Sequence, residues 1–180
     1  PNTFGIEQKQ AQARVQTVGR PLPYVELRLK NADGSLAKSG QVGELQIRGG
    51  HVMAGYWNKT AATAEVLSQD GWLSTGDLAF CDDDGYYTIC GRQKEMFISG
   101  GENVFPREVE ALLSDHPDGV EVAVVGVDDA EFGQRLKAVV VRRDGATLTE
   151  DDVRDVVRSN LAGFKVPRDV VFIDELPRNP

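Results

Sequence analysis

The sequence predicts an α+β protein with a β-rich first half and a second half in which helices alternate with strands. In the first half, short apolar segments are separated by turns such as 31–34 and 82–85, a spacing typical of antiparallel strands. Beyond Gly91, apolar residues recur at helical spacing in two segments, and Val-rich runs lie between and after them. The change of pattern falls near 92–95, so we expect two domains that meet there.

Each element of the first half follows from its local sequence. The strands predicted here are 24–30, 42–48, 78–81 and 86–90. The last two form a hairpin because Asp-rich 82–85 ends in a glycine suited to a tight turn. A short helix is predicted at 60–67, with Asn58 as its N-cap. The large apolar residues expected in the core are Met53, Trp57 and Trp72.

The second half contains the two clearest helices. Pro106 suits the first turn of a helix over 106–114. The helix over 149–161 has Thr149 at its start and Asp152 three residues later, the spacing of a capping box. The strands predicted around these helices are 121–127, 136–142 and 169–174.

Composition and charge argue against several classes of partner. The chain carries 28 acidic and 20 basic residues, a formal net charge of -8, whereas nucleic acids and anionic membranes are bound by basic surfaces. No apolar run approaches the roughly 20 residues that span a bilayer, and no secretory pattern is present. Cys81 and Cys90 flank the predicted hairpin without lying opposite each other, so we expect reduced thiols and a cytoplasmic protein.

The segment 91–110 is the most unusual part of the chain. It joins a charged turn, a short apolar strand, the pair Gly100-Gly101 and the helix that begins at Pro106. Two adjacent glycines let the backbone take positive φ or approach a ligand closely, because neither carries a Cβ. Such a device in mid-chain predicts a binding site or a joint between two bodies.

Three further motifs stand in order around this segment. They are 43–57, which ends in Gly-Tyr-Trp; 72–77, which reads Trp-Leu-Ser-Thr-Gly-Asp; and 164–168, which reads Phe-Lys-Val-Pro-Arg. Together with 91–110 they resemble the adenylate-forming (AMP-binding) superfamily, in particular its acyl-CoA ligases. The resemblance extends over about 18–180 of the chain.

The resemblance implies a two-step reaction. A carboxylic acid attacks the α-phosphate of ATP, accompanied by Mg²⁺, to give an acyl-adenylate and pyrophosphate, and the thiol of coenzyme A then displaces AMP. The family fold implies that 1–93 is the β-rich, barrel-like end of a large N-terminal domain. It also implies that 94–180 is most of a small, mobile α+β lid that rotates between the two steps. The sequence of residues 100–106 resembles the corresponding segment of ligases that act on fatty or aromatic acids.

Three residues match the family's nucleotide site and hinge. Asp77 matches the carboxylate that holds both ribose hydroxyls, a task that suits a group able to accept two hydrogen bonds at once. Arg92 matches an arginine that reaches the nucleotide through its fixed donors. Lys94 occupies the hinge position, where a few residues absorb a large change in φ and ψ. The plainer alternatives are a turn aspartate, a surface arginine that closes the hairpin and a solvated lysine.

Four residues match the coenzyme A site. Gly101 matches the glycine whose backbone lines the pantetheine tunnel. Phe164 and Arg168 match positions that contact the nucleotide part of coenzyme A, where an aromatic face and a cation suit adenine and phosphate. Lys165 lies between them and is expected to help. The alternatives are a turn glycine and a helix end followed by a solvated basic turn.

Several parts of the family machinery are expected outside this sequence. The phosphate-binding loop, the acyl pocket and the rest of the N-terminal domain would precede Pro1. The lysine that stabilises the adenylation transition state would follow Pro180, because Pro177-Arg178 resembles the start of the family motif that contains this lysine. We therefore assign no catalytic residue here and expect the chain alone to be inactive. The alternatives are another adenylating enzyme, such as a peptide-synthetase module, and a non-catalytic protein on the same scaffold.

Overall fold

The computed structural model describes residues 3–143 and 145–177, and the chain divides into two compact units, Pro1–Gln93 and Lys94–Pro180. Each unit has a β-sheet and a buried apolar cluster of its own, and the mixture of helices and strands confirms the α+β class. None of the helices in the described ranges is long and apolar enough to cross a membrane. Arg178, which belongs to the motif expected to lead to the terminal lysine, lies outside the described residues.

The first unit is built mainly of antiparallel strands. Its elements are β1 (Phe4–Gly5), α1 (Gln8–Ala11), a 3₁₀ turn (Gln12–Arg14), β2 (Arg20–Pro21), β3 (Glu26–Lys30), β4 (Gly43–Arg48), α2 (Thr60–Val66), β5 (Leu73–Cys81) and β6 (Tyr87–Arg92). The larger sheet has the order β3-β4-β5-β6, and β1 pairs with β2 separately. The β-rich character is confirmed, and the described strands form an open sheet without closing into a barrel.

The alternation of apolar and polar residues explains this sheet. Leu29 on β3 lies opposite Leu45 on β4, and both side chains are buried together with Ala79 of β5. Because successive side chains point to opposite faces of a strand, Arg28 and Gln46 lie on the other face. There the Arg28 Nε donates to the Gln46 side-chain oxygen at 2.7 Å. The two predicted strands are confirmed, with starts shifted by one or two residues.

The predicted hairpin is confirmed and is longer than expected. Its strands are Leu73–Cys81 and Tyr87–Arg92. Cys81 is the register partner of Tyr87, and no disulfide joins Cys81 to Cys90. Burial raises the pKa of the Cys81 thiol, which favours its protonated form.

Two local predictions for the region around α2 are wrong. Lys59, not Asn58, is the N-cap; Asn58 has a φ of +53°, and no side-chain hydrogen bond caps this helix. Trp57 is 90% exposed, because it lies in the turn before α2, where neither strand alternation nor a helical face directs it inward. Trp72, by contrast, is buried as predicted, and Met53 is half-buried.

The second unit packs two helices with a five-stranded sheet. Its elements are β7 (Phe97–Ser99), β8 (Glu102–Val104), α3 (Pro106–Ser114), β9 (Gly119–Asp129), β10 (Gly133–Arg142), α4 (Glu150–Asn160), a 3₁₀ turn (Gly163–Lys165) and β11 (Asp169–Ile173). β9 and β10 are antiparallel, β11 runs parallel to β10, and β7 joins them where Ser99 pairs with Gly133. Val109 and Leu113 of α3 and Val157 of α4 are buried in one cluster with the sheet. Both predicted helices and all three predicted strands of this half are confirmed.

The double-glycine bend is the turn of a β-hairpin. Gly100 and Gly101 have φ angles of +60° and +87°, and two consecutive positive values are what a tight hairpin turn requires. The expected short strand before them is Phe97–Ser99. The chain then continues as a second short strand, Glu102–Val104, which pairs with Phe97–Ser99.

The N-terminus of α4 carries the predicted capping box. The Thr149 hydroxyl accepts from the backbone N–H of Asp152 at 3.2 Å, and the Asp152 carboxylate accepts from the backbone N–H of Thr149 at 2.9 Å. Thr149→Ala should therefore lower the free energy of unfolding by about 1 kcal/mol. Urea unfolding followed by circular dichroism measures this change. Thr147→Ala, at an exposed position before the helix, is the matched control, and an equal loss in both variants would contradict the prediction.

The same contact makes this stabilisation sensitive to acid. Hydrogen bonds from Thr149 lower the pKa of the Asp152 carboxyl from its ordinary value of 3.8. A lowered pKa in the folded state adds stability that is complete above the unfolded-state pKa and is lost as the pH falls through the folded-state pKa. The stability difference between the wild type and Thr149→Ala should therefore shrink below pH 3.8. Unfolding curves across acidic pH test this, and a difference that grows in acid would speak against it.

Candidate functional site

Asp77 and Arg92 are brought together at one end of the β5–β6 hairpin. They are register partners on adjacent strands, and Arg92 Nη1 lies 3.1 Å from Asp77 Oδ1. The Asp77 side chain is 28% exposed and the Arg92 side chain 57% exposed, so both charges are open to solvent. An ion pair as exposed as this contributes little to folding. The two groups therefore form a solvent-accessible set of acceptors and donors.

Thr75 positions this pair, a role that the sequence did not reveal. Its carbonyl accepts from Arg92 Nη1 at 3.1 Å, and its hydroxyl accepts from the backbone N–H of Asp77 at 3.0 Å. The same hydroxyl donates to the Leu45 carbonyl at 2.8 Å, which ties the motif to β4. Gly76 has a φ of +73°, a conformation that glycine adopts without strain. A threonine hydroxyl often accepts a hydrogen bond from a backbone N–H two residues later, so the local contact with Asp77 is not unusual. The contact of Thr75 with Arg92 across the sheet is what distinguishes this threonine.

The second unit contains a cavity beside the β7–β8 turn. Its volume is about 180 Å³, and it is lined by residues of that turn, of the β9–β10 turn and of the segment 163–168. Phe164 and Arg168 both line it, and Phe164 is 39% exposed. Gly100 lines it as well, and Gly101 follows at an exposed position with no heavy atom within 4 Å of where a Cβ would lie. Three of the four predicted coenzyme A residues are thus at or next to one cavity.

Arg168 and Lys165 are held in different ways. The guanidinium carbon of Arg168 lies 4.0 Å from the centre of the Phe132 ring, a cation–π arrangement. Lys165 Nζ lies 2.5 Å from Glu108 Oε2, and its side chain is only 16% exposed. This ion pair ties the 3₁₀ turn to α3, so Lys165 serves local packing here. Its expected contact with coenzyme A stays a prediction.

Lys94 is the first residue of the second compact unit. It is exposed and lies in a turn that follows the end of β6. An exposed turn residue can change φ and ψ without disturbing a core, which is what a hinge requires. The hinge role of Lys94 itself stays a prediction.

The chemistry of these groups determines which cofactors they fit. The Asp77 carboxylate and the Arg92 guanidinium match the hydroxyls and anionic oxygens of a nucleotide. The Phe164 ring and the Arg168 guanidinium match a base and a phosphate. Among the described residues no group of three or more His, Cys, Asp or Glu side chains could hold a metal ion. We therefore assign no residue of this chain to Mg²⁺.

Two family models match the chain, one in each unit. The model of the AMP-binding enzyme matches residues 2–57, and the model of the AMP-binding enzyme C-terminal domain matches residues 108–180. The chain belongs to the AMP-binding, adenylate-forming superfamily. The membership inferred from four ordered motifs is thereby confirmed.

Individual AMP-binding enzymes show how much of the family this chain represents. It is 45% identical over 173 residues to the indoleacetate–CoA ligase of Aromatoleum aromaticum, and the matched region covers 96% of this chain and 34% of that protein. It is 42% identical over 163 residues to the long-chain-fatty-acid–CoA ligase of Yersinia pestis, covering 91% of the chain and 29% of that protein. The o-succinylbenzoate CoA synthetase of Bacillus subtilis, solved with its acyl-adenylate intermediate, matches with a TM-score of 0.93 at 31% identity, over 99% of this chain and 36% of that one. The chain therefore spans about a third of the length of these relatives.

Proposed function

We propose that this chain supplies the C-terminal third of an ATP-dependent acyl-CoA ligase, which forms an acyl-adenylate and then an acyl-CoA thioester. The observation that carries the proposal is the solvent-open pair of Asp77 and Arg92, held by Thr75 at the end of a hairpin in an AMP-binding enzyme. Such a pair offers the acceptors and donors that a ribose needs, already in place before the ligand arrives.

We assign Asp77 and Arg92 to the nucleotide. An ionised carboxylate has about four acceptor positions, and within the described residues the Asp77 carboxylate makes its ion pair with Arg92 alone. It can therefore accept hydrogen bonds from two neighbouring hydroxyls. Arg92 uses Nη1 to bind the Thr75 carbonyl and has further N–H donors for ribose or phosphate oxygens. Fixing both side chains beforehand lowers the entropy cost of binding.

We assign the cavity of the second unit to coenzyme A. Arg168 and Phe164 supply a cation and an exposed aromatic face for its nucleotide part. Gly101 supplies backbone without a side chain, so an extended pantetheine arm can approach closely. We propose Lys94 as the hinge between 1–93 and 94–180, the end of the AMP-binding domain and its C-terminal lid. Bound coenzyme A supplies the thiol that displaces AMP.

Relatives of this chain include ligases named for indoleacetate and for long-chain fatty acids. We propose a fatty or aromatic carboxylic acid as substrate and a cytoplasmic enzyme, with Mg²⁺ bound with ATP by residues outside this sequence. The acyl pocket, the phosphate-binding loop and the terminal lysine are also assigned to the rest of the protein. We propose that the 180 residues alone do not adenylate a substrate.

The full-length protein that contains this sequence tests the proposal. Exchange of labelled pyrophosphate into ATP should depend on the added acid when indoleacetate and a long-chain fatty acid are each supplied. Addition of coenzyme A should then consume free thiol and form a thioester with the same acid. Exchange without thioester formation, with transfer of the acyl group to a carrier protein, would favour a peptide-synthetase module. Absence of exchange with a broad panel of acids would favour a non-catalytic protein.

A further inference from the structure

We propose that Phe132, in the β9–β10 turn, is a positioning residue that holds the Arg168 guanidinium in place for the anionic part of coenzyme A. The inference rests on the proposed function of the cavity. Phe132 belongs to none of the motifs that point to the family, and it lies more than thirty residues from Arg168 in sequence. The contacts around its ring and its backbone carry the proposal.

The backbone of Phe132 is fixed on both sides. The Asp129 carboxylate accepts from the backbone N–H groups of Glu131 and Phe132, both at 2.9 Å. The hydrogen bond from Phe132 is the main reason why the pKa of Asp129 is lowered, so the carboxylate is ionised at neutral pH. The Phe132 carbonyl accepts from the backbone N–H of Gly100 at 3.1 Å. The β9–β10 turn is thereby tied to the β7–β8 turn.

The ring of Phe132 occupies space that a side chain at position 100 would need. A Cβ built on Gly100 would lie 3.2 Å from Phe132 Cδ1, closer than ordinary van der Waals contact. Glycine at this position therefore leaves room for the Phe132 ring and also adopts the positive φ of the turn without strain. The ring is held beside the bend that carries Gly101, and its other neighbour is the Arg168 guanidinium.

The Arg168 guanidinium lies over the Phe132 ring. Its carbon is 4.0 Å from the ring centre, and within the described part of the chain no acceptor receives a hydrogen bond from this side chain. Arg168 is exposed, and without Phe132 only the nearby charge of the Asp129 carboxylate would restrain its long side chain, which could then take many rotamers. With Phe132, its N–H donors are presented beside the cavity that Phe164 also lines. Phe132 acts on the ligand only through this arginine.

The full-length protein with Phe132→Leu tests the inference, because leucine keeps an apolar side chain and removes the aromatic face. We expect the KM for coenzyme A to rise roughly 5- to 10-fold, with acid-dependent pyrophosphate exchange changed by less than about 2-fold. Phe132→Tyr should restore the KM. Phe172→Leu is the matched control, because the Phe172 ring stacks on the Arg142 guanidinium at 4.3 Å in the same unit, away from the cavity-lining residues.

The possible results distinguish a failure of the positioning role from a failure of the proposed function. A wild type that forms the thioester, together with an unchanged KM for coenzyme A in Phe132→Leu, overturns the positioning role alone. The positioning role is also overturned if Phe172→Leu raises the KM equally, or if exchange and thioester formation fall in parallel, since a general structural defect would do both. A wild type that exchanges pyrophosphate and forms no thioester overturns the proposed second step and the inference with it.

Discussion

Asp77→Asn is expected to slow acyl-adenylate formation by the full-length protein about 100-fold. The amide has nearly the same shape as the carboxylate but carries no charge, so the hydrogen bonds from both ribose hydroxyls weaken. A combined loss of about 3 kcal/mol for two charge-assisted hydrogen bonds corresponds to a factor of about 100. Acid-dependent exchange of pyrophosphate into ATP measures the effect. Folding should change little, because the Asp77–Arg92 ion pair is largely solvated.

A second aspartate in the same hairpin provides the control. Asp83 lies in the exposed turn between β5 and β6, where its carboxylate accepts from the Ser39 hydroxyl at 2.5 Å. Asp83→Asn removes the same charge from the same hairpin at its opposite end and should leave exchange within about 2-fold of the wild type. A loss as large in Asp83→Asn as in Asp77→Asn would assign the effect to net charge or folding. Full activity of Asp77→Asn would remove Asp77 from the nucleotide site.

Gly101→Leu is expected to abolish thioester formation while sparing adenylation. The structure leaves open space around this position, so the new side chain meets no protein atom within 4 Å of its Cβ. It would instead occupy the path proposed for the pantetheine arm, and a misplaced thiol costs on the order of 100-fold in rate. Pyrophosphate exchange should change by less than about 3-fold, because the nucleotide residues lie in the other unit. The two half-reactions are measured separately on the same preparation.

The strain of a positive φ must be distinguished from the bulk of leucine. Gly101 has a φ of +87°, so any L-residue there costs about 1–2 kcal/mol whatever its size. Gly101→Ala carries that cost and adds only a methyl group, so it should retain most of the thioester activity. Equal loss of both half-reactions in Gly101→Leu would contradict a role in the tunnel. So would a Gly101→Ala variant as inactive as Gly101→Leu.

Elements that depend on local sequence were predictable. The capping box at Thr149 and Asp152 sets the start of α4, and the buried stripe that follows needs only its own helical spacing. The β7–β8 turn could be predicted in part, because the Gly100-Gly101 pair indicates a tight bend and both residues have the positive φ that such a bend requires. In each case the physical determinant lies within a few residues of the feature that it controls.

The pairing of Asp77 with Arg92 depends on more than the hairpin. Near the turn, Cys81 pairs with Tyr87, and continuing that register would place Gly91 opposite Asp77. A register shift of one residue between Leu78 and Ala79 brings Arg92 opposite Asp77 instead. A bulge of this kind has no clear mark in a single sequence, so the motif identified both residues but not their contact.

Other features depend on segments far away in the chain. Phe132 gains its role from Gly100 and Arg168, and Lys165 is directed by Glu108, fifty-seven residues earlier. Large aromatic residues are usually buried, which predicts a core position for Trp57. Burial requires a packing partner, and the turn before α2 provides none within the described residues. Such contacts follow from tertiary packing.

The most direct test of the account is a comparison of AMP with 2′,3′-dideoxy-AMP by equilibrium binding to the wild type and to Asp77→Ala. If the Asp77 carboxylate holds the ribose hydroxyls, removal of the hydroxyls should weaken binding to the wild type roughly 30- to 100-fold. Asp77→Ala should bind both nucleotides with the same low affinity, because it has no carboxylate to lose contact with. Equal discrimination between the two nucleotides by both proteins would contradict the nucleotide site on which the account depends.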